Sequence, residues 1–149
     1  MKFAIVYVSY GGNTRDLTNF LVKCIEQCGH LVHTYSVRDA PDLEKYDFIL
    51  FGSLTWTEGS LPIQMRKYLK SILIDHPTNF QHCSVFGTGE TQWGESFYCK
   101  AVDEMEYHLT KKGKFVHSKL KIEQNPIGKE EKINQFIEEI MKEVEQFEN

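Results

Sequence analysis

The residues with the clearest chemical potential form one short segment: Ser9, Tyr10, Gly11, Gly12, Asn13 and Thr14. Its side chains can donate hydrogen bonds, and its two glycines allow the backbone to curl around an anion. An apolar run at 3–8 precedes it, and an amphipathic helical pattern follows it. Unpaired N–H groups and the positive end of a helix dipole should meet at this loop, so it is predicted to bind phosphate. The loop contains no lysine or arginine, so we expect neutral hydrogen bonds to hold the anion.

The only two tryptophans of the chain, Trp56 and Trp93, lie in two further polar loops. The loop of Trp56 also contains Thr55, Thr57 and Glu58. The loop of Trp93 also contains Thr88, Gly89 and Glu90. Two indole rings on neighbouring loops can sandwich a flat aromatic ligand whose phosphate binds the first loop. Each ring could instead pack only on its own loop, but the adjacent phosphate loop favours the ligand.

The elements that must position these loops alternate along the whole chain. Five strands are predicted, and all of them are expected to be buried: 2–8, 31–37, 47–54, 83–88 and 115–122. Four helices are predicted between and after them: 14–28, 62–73, 96–112 and 130–147. Such alternation predicts one doubly wound α/β domain over 1–149, with helices on both faces of a parallel sheet. In this architecture ligands bind outside the carboxyl ends of the strands, which is where the three loops lie.

Composition and charge exclude several classes of function. The net charge is −4, and 129–149 alone carry three lysines and seven glutamates, so the rest of the chain is neutral and has no basic nucleic-acid footprint. No apolar run is long enough to cross a bilayer, and the amino terminus enters a strand directly, so we expect a cytoplasmic protein. The four cysteines are expected to be buried structural thiols, and the six histidines show no metal-binding spacing.

With these motifs in order, the chain resembles the flavodoxin family over its whole length, and its size resembles the short-chain type. The resemblance rests on the first loop, on Gly52-Ser53-Leu54-Thr55-Trp56, on Phe86-Gly87-Thr88-Gly89-Glu90-Thr91, and on the segments 97–103 and 120–123. It implies a flavodoxin-like three-layer sandwich whose five parallel strands follow the order 2-1-3-4-5.

The resemblance also implies non-covalently bound FMN as the cofactor. It assigns the phosphate to the segment from Ser9 to Thr14, the inner side of the flavin ring to Thr55, Trp56, Thr57 and Glu58, and the outer side to Thr88, Gly89, Glu90 and Trp93. Trp93 takes the place of the usual stacking tyrosine. The implied protein is a monomeric, low-potential electron carrier between a reductase and an acceptor enzyme, with no catalytic side chain and no metal.

Other functions on the same scaffold remain open. One is a flavodoxin-like activator of a metalloenzyme such as manganese ribonucleotide reductase, which the Trp93-Gly94 pair favours. Another is an FMN-dependent NAD(P)H:quinone-type reductase, which would oxidise NAD(P)H without a protein partner. An interaction module that has lost FMN is the least favoured, because the phosphate loop and both rings are present.

Two departures from the family pattern affect these expectations. Thr57 stands where the family commonly has glycine, and a β-branched residue disfavours the positive-φ conformations that glycine tolerates. We therefore expect a less stabilised one-electron-reduced flavin than in typical relatives. The helix after the inner loop carries Arg66, Lys67 and Lys70 without an acidic neighbour. Two interpretations are open: these are ordinary solvated helix residues, or they match a partner with a less basic or mixed-charge docking surface.

Overall fold

The alternating strands and helices expected from the sequence are present in the computed structural model, which describes residues 1–56, 59–90 and 98–148. The elements are β1 (Lys2–Val8), α1 (Asn13–Gln27), β2 (Leu31–Ser36), β3 (Phe48–Leu54), α2 (Ile63–Lys70), β4 (His82–Gly89), α3 (Lys100–Lys111), β5 (Phe115–Glu123) and α4 (Glu130–Glu148). The first two residues of the predicted third helix, 96 and 97, lie outside the described residues, and α3 begins at Lys100.

All five strands are parallel and follow the order β2-β1-β3-β4-β5, which confirms the predicted topology. The order reverses beside β1, because the chain places β2 on one side of it and β3 on the other. Val8 pairs with Ser53, and Leu54 pairs with Thr88. The register therefore brings the ends of β1, β3 and β4, and the loops that follow them, to one edge of the sheet.

Two apolar layers cover the sheet, one on each face. Successive residues of β3 alternate between them: Ile49 and Phe51 pack under α2 and α3, whereas Phe48 and Leu50 pack under α1 and α4. The apolar stripe of α4 is buried as its periodicity predicts, and Ile140 has no exposed surface. Both layers hold the strand ends rigidly, which is what a ligand site at the sheet edge requires.

The prediction that all five strands are buried is wrong for β2. Its first residue, Leu31, is half exposed, and three of its six residues are exposed while none is buried, because β2 is an edge strand that pairs only with β1. The expectation of buried thiols holds for Cys83 and Cys99 but fails for Cys28, which is exposed, and for Cys24, which is only partly buried. The last two lie at the side of α1 rather than on its buried stripe.

The predicted helix over 62–73 is two different structures. The α-helix ends at Lys70, and a π-helical turn follows over Ser71–Asp75. The N–H of His76 donates to the carbonyl oxygen of Ser71 at 2.8 Å, which closes this wider turn. Ile74 lies within this turn and is 53% exposed.

A cluster of aromatic and histidine side chains lies at the opposite, amino edge of the sheet. His82 Nδ1 lies 2.9 Å from His117 Nε2, and His117 Nδ1 lies 3.6 Å from a carboxylate oxygen of Glu143 on α4. Phe115 and Phe147 stack against these rings. Burial lowers the pKa of both histidines, the neighbouring His117 lowers that of His82 further, and Glu143 only partly opposes these effects.

We expect this cluster to make folding stability depend on pH in the mildly acidic range. Both folded pKa values lie below the ordinary histidine value of 6.5, so the unfolded chain binds more protons once the pH falls through that value. Stability should be complete above about pH 6.5 and decrease below it. Urea unfolding at several pH values between about 7.5 and 5.5 measures this slope. The variant His82→Gln should flatten it, and the exposed-histidine control His76→Gln should not; equal slopes in all three proteins would contradict the assignment.

Candidate functional site

The first loop has the backbone conformation of an anion-binding turn. Gly11 and Gly12 have φ angles of +79° and +92°, in the left-handed region that favours glycine, and α1 begins directly afterwards. Among the described residues, no protein atom accepts a hydrogen bond from the backbone N–H groups of residues 11–14. The hydroxyl oxygen of Ser9 accepts from the N–H of Arg15 at 3.2 Å, which leaves the hydroxyl proton free to donate. The loop thus presents several unused donors at a helix start.

A cation also lies against this loop, although none belongs to the segment from Ser9 to Thr14. A Cβ built on Gly12 would lie 3.1 Å from Nη2 of Arg15, so the guanidinium is folded back over the loop backbone. Arg15 and Arg38 both line a cavity of about 280 Å³ beside the loop. The expectation that neutral groups alone surround the anion site is therefore wrong. Arg38 follows the carboxyl end of β2, and only the fold brings it close to this loop.

Thr14 is placed differently from the other loop residues. Its side chain is buried, and its hydroxyl lies 2.8 Å from the hydroxyl of Thr88 at the end of β4. This hydrogen bond ties the start of α1 to the strand that carries the outer loop. Thr14 can therefore contribute its N–H to an anion, whereas its hydroxyl joins two of the three loops.

A second cavity of about 270 Å³ brings the three loops together. It is lined by Tyr10, Asn13, Leu54, Thr55, Trp56, Thr88, Gly89 and Glu90. All but Leu54 are residues that the sequence singled out, and they come from the ends of β1, β3 and β4. Thr57, Glu58 and Trp93 lie outside the described residues.

Tyr10 and Trp56 stack on one wall of this cavity. Their ring centroids are 6.5 Å apart with an interplanar angle of 14°, and each side chain is about two-fifths exposed, at 41% and 39%. Gln64 on α2 donates a hydrogen bond to the hydroxyl of Tyr10, and its own side-chain oxygen is buried without a partner within the described part of the chain. The orientation of the Trp56 indole thus depends on Tyr10 and Gln64. Sequence reasoning missed Gln64, because nothing in a helical pattern distinguishes this glutamine.

The inner loop is anchored by its first residues. The N–H of Thr55 donates to the carbonyl of Thr88 at 3.1 Å, and its hydroxyl oxygen accepts from the N–H of Ala101 in α3 at the same distance. The N–H of Trp56 donates to the carbonyl of Ser60. The hydroxyl of Thr55 therefore fastens the loop to α3, and the loop holds its tryptophan through the backbone.

Close backbone packing positions the outer loop. A Cβ on Gly89 would lie 2.9 Å from the backbone nitrogen of Cys99, and one on Gly87 would lie 2.5 Å from the carbonyl oxygen of Ser53. Cys99 is fully buried and has a φ of +48°, a strained conformation for a residue with a side chain. The sequence predicted Cys99 only as a buried thiol, whereas the structure shows that it also packs against the strand from which the outer loop leaves.

One charge of the basic helix is paired with a carboxylate of the neighbouring helix. Nε and Nη2 of Arg66 donate to the two carboxylate oxygens of Glu104 at 3.0 and 3.1 Å, and Nε2 of His108 lies 3.3 Å from the same group. Arg66 is therefore part of a bridge between α2 and α3 rather than a free docking charge. Lys67 and Lys70 remain exposed.

Neither a metal site nor a membrane-spanning helix was found in the described ranges. No three histidine, cysteine, aspartate or glutamate side chains among residues 1–56, 59–90 and 98–148 are grouped so that they could hold a metal ion. A search of the same residues for a helix long and apolar enough to span a membrane also returned none.

Comparisons with known proteins agree with this geometry. The model of the family described as flavodoxin matches residues 5–136. The chain is 30% identical over 134 residues to probable flavodoxin 2 of Bacillus subtilis (strain 168), covering 87% of each chain. The structure of oxidised flavodoxin 2 from Bacillus cereus superposes with a TM-score of 0.83 at 29% identity, over 96% of this chain and 99% of that one. A Fusobacterium nucleatum flavodoxin bound to flavin mononucleotide shares the fold at a TM-score of 0.77 and 17% identity, over 95% and 98%.

Proposed function

The chain belongs to the flavodoxin family, and on that premise we propose that it is a low-potential carrier that passes single electrons through non-covalently bound FMN. The observation that carries the proposal is the meeting of a phosphate loop and an aromatic-lined cavity at one edge of the sheet. Flavodoxins are electron-transfer proteins, and the chemistry belongs to the flavin rather than to catalytic side chains.

The residues present fit FMN at both ends of the molecule. A phosphate dianion needs several donors, and the unpaired N–H groups of residues 11–14, the hydroxyl of Ser9 and the guanidinium of Arg15 supply them. A flat ring system needs an apolar slot, and the cavity beside Trp56 is continuous with the same loop through Tyr10, which lines both cavities. The two halves of the site are therefore adjacent in the order that a ring–ribityl–phosphate molecule requires.

Each part of the chain has a distinct task in this function. FMN, when bound, supplies reversible one- and two-electron redox chemistry. The first loop fixes the phosphate end, the Tyr10–Trp56 pair shields one side of the ring from water, and Gly89 and Glu90 border the other side. Because Tyr10 and Trp56 are partly exposed, a redox partner can approach the ring edge directly, as short-range electron transfer requires.

The charges near the ring favour a low reduction potential. Glu90 lines the ring cavity, and Glu58 and Glu95 belong to the same two loops in the sequence. Negative charges and a poorly solvated site disfavour any added negative charge. Arg15 opposes this effect only weakly, because it lies at the phosphate end and neutralises the phosphate.

Stepwise chemical reduction of the FMN-loaded protein, followed by visible absorption, tests the proposal. We expect two resolved one-electron steps, with the second at a markedly lower potential. A single two-electron step at a mild potential would contradict one-electron transfer. If the purified apoprotein does not bind FMN, the proposed function is wrong. Steady oxidation of NAD(P)H by the protein without a partner would favour a reductase instead.

Arg15 yields a separate prediction about cofactor affinity. Removing its charge in Arg15→Gln should weaken FMN binding about tenfold, because a charge-assisted hydrogen bond to the phosphate contributes roughly 1.5–3 kcal/mol and this side chain is exposed. The loss should shrink as NaCl is raised. Fluorescence titration of the apoprotein with FMN measures both effects.

The matched control for this prediction is Lys23→Gln, which removes an exposed positive charge from the same helix about two turns further on. Its affinity for FMN should equal that of the unmodified protein. If both variants lose affinity to the same extent, the effect of Arg15 is one of net charge and not of contact with the phosphate.

A further inference from the structure

A groove on the helical face of the molecule has no part in the proposed electron transfer. It runs between α2, with its π turn, and α3, and we call it the α2–α3 groove. Its lining consists of Arg66, Leu69, Lys70, Leu73, Ile74, Tyr107, His108, Lys111 and Lys112. None of these residues lines either cavity of the FMN site. Its volume is about 320 Å³, which lies at the lower end of the range for small-molecule sites.

The floor and sides of the α2–α3 groove are apolar. Leu69 and Leu73 form the buried floor, whereas Ile74 and Tyr107 stand at its sides and are 53% and 59% exposed. Ile74 belongs to the π turn. Two large, solvent-exposed apolar side chains beside a concave apolar floor leave water in contact with surface that a ligand tail would cover.

The rim of the groove is cationic, and much of that charge is unpaired. Glu104 forms an ion pair with Arg66, and its carboxylate lies 3.3 Å from Nε2 of His108. Neither Lys70 nor Lys112 forms an ion pair with any residue of the three described ranges. The ammonium group of Lys111 lies 5.6 Å from the ring centre of Tyr107. The groove thus combines an apolar floor with a cationic rim.

We propose that the α2–α3 groove binds a free anionic amphiphile, namely a medium-chain carboxylate of the fatty-acid type. The carboxylate lies among Lys70, Lys111 and Lys112, and the alkyl chain lies along Leu69, Leu73 and Tyr107. From Arg66 to Ile74 the groove extends roughly 12 Å at 1.5 Å per residue, which suits a chain of this class. A concave, partly enclosed cavity favours a small ligand over a flat protein surface.

Titration of the ¹⁵N-labelled, FMN-loaded protein with decanoate, followed by amide chemical shifts, tests this proposal. We expect saturable shifts in α2, the π turn and α3, with a Kd below about 1 mM. Acetate has the same charge without the tail, and decyltrimethylammonium has the tail with the opposite charge; neither should saturate. No saturation by decanoate, or equal binding of the cationic amphiphile, would overturn the proposal.

Matched variants separate the groove from general charge effects. The double variant Lys70→Glu/Lys112→Glu and the single variant Ile74→Asp should each weaken decanoate binding at least about tenfold, which corresponds to about 1.4 kcal/mol. Lys67→Glu changes an exposed lysine of the same helix that does not line the groove, and it should bind decanoate normally. All changed residues are exposed, and unaltered FMN absorption verifies the fold of each variant.

Two results would count against the assignment even if some ligand binds. Equal loss of affinity in Lys67→Glu and in the double variant would show that net charge, and not the groove, attracts decanoate. Saturation by a glutamate-flanked, leucine-rich helical peptide without saturation by decanoate would reassign the surface to protein docking. These titrations measure binding to the groove directly. Their outcome is therefore independent of the redox titration that tests the proposed function.

Discussion

Riboflavin, which lacks the phosphate of FMN, should bind the apoprotein at least about 1000-fold more weakly than FMN. The first loop offers the N–H groups of residues 11–14, which no atom of the described residues accepts, together with the hydroxyl of Ser9 and the guanidinium of Arg15. Hydrogen bonds to charged groups contribute roughly 1.5–3 kcal/mol each, so three of them exceed the roughly 4 kcal/mol that a 1000-fold ratio requires. Quenching of flavin fluorescence during titration of the apoprotein gives both dissociation constants.

Two controls identify the source of this ratio. Inorganic phosphate should compete with FMN and leave riboflavin binding unchanged, because only FMN occupies the loop with an anion. Trp56→Ala should weaken the binding of FMN and of riboflavin by a similar factor, because stacking on the indole involves the ring system that both flavins share. A ratio below about tenfold would mean that the loop does not hold the phosphate, since a single charged hydrogen bond would account for it.

Gly87→Ala should destabilise the folded protein by about 3 kcal/mol, at the upper end of the usual cost of overpacking a core. The new methyl group would lie 2.5 Å from the carbonyl oxygen of Ser53 and 2.6 Å from Cγ2 of Val102. The first of these is a backbone atom of the paired strand, so β3 and β4 must separate or shift where the inner and outer loops begin. We expect weaker FMN binding together with the loss of stability.

Thermal and urea unfolding of the variant measure this effect. For a chain of 149 residues, 3 kcal/mol corresponds to a decrease in Tm of roughly 6–12 °C. The matched control is Gly113→Ala, where no atom lies within 4 Å of the new methyl group and only a φ of +84° opposes it. That conformation costs about 1 kcal/mol. Equal destabilisation by the two substitutions would show that the contact with Ser53 is not what excludes a side chain at Gly87.

The sequence predicted the architecture because that information is local and periodic. Apolar runs, amphipathic patterns and turn residues alternate along the chain, so the parallel sheet and the meeting of three loops at one edge followed from one rule about such sheets. The strand order followed instead from the resemblance to the flavodoxin family. Where the prediction failed, the neighbours of an element decided the outcome. The strand β2 has the composition of a buried strand, yet its position at the sheet edge leaves it exposed.

The same distinction applies to the site. Residues in the loops were found from their types and spacing, and most of those in the described ranges line one cavity. Gln64 and Cys99 were not found, because each acts through a neighbour that is distant in sequence: Gln64 bonds to Tyr10, and Cys99 packs against Gly89. Patterns in a single chain contain no signal for such pairs.

What the sequence determined by itself was the fold class and the meeting of a glycine-containing loop with the loop of Trp56 at one edge of the sheet. What only the tertiary structure decided was the electrostatics around them. Arg15 folds over a loop that contains no cation, and Glu104 on α3 neutralises Arg66 on α2. The reason is physical: backbone periodicity follows from neighbouring residues, whereas the energy of a charge depends on distances between side chains that only packing brings together.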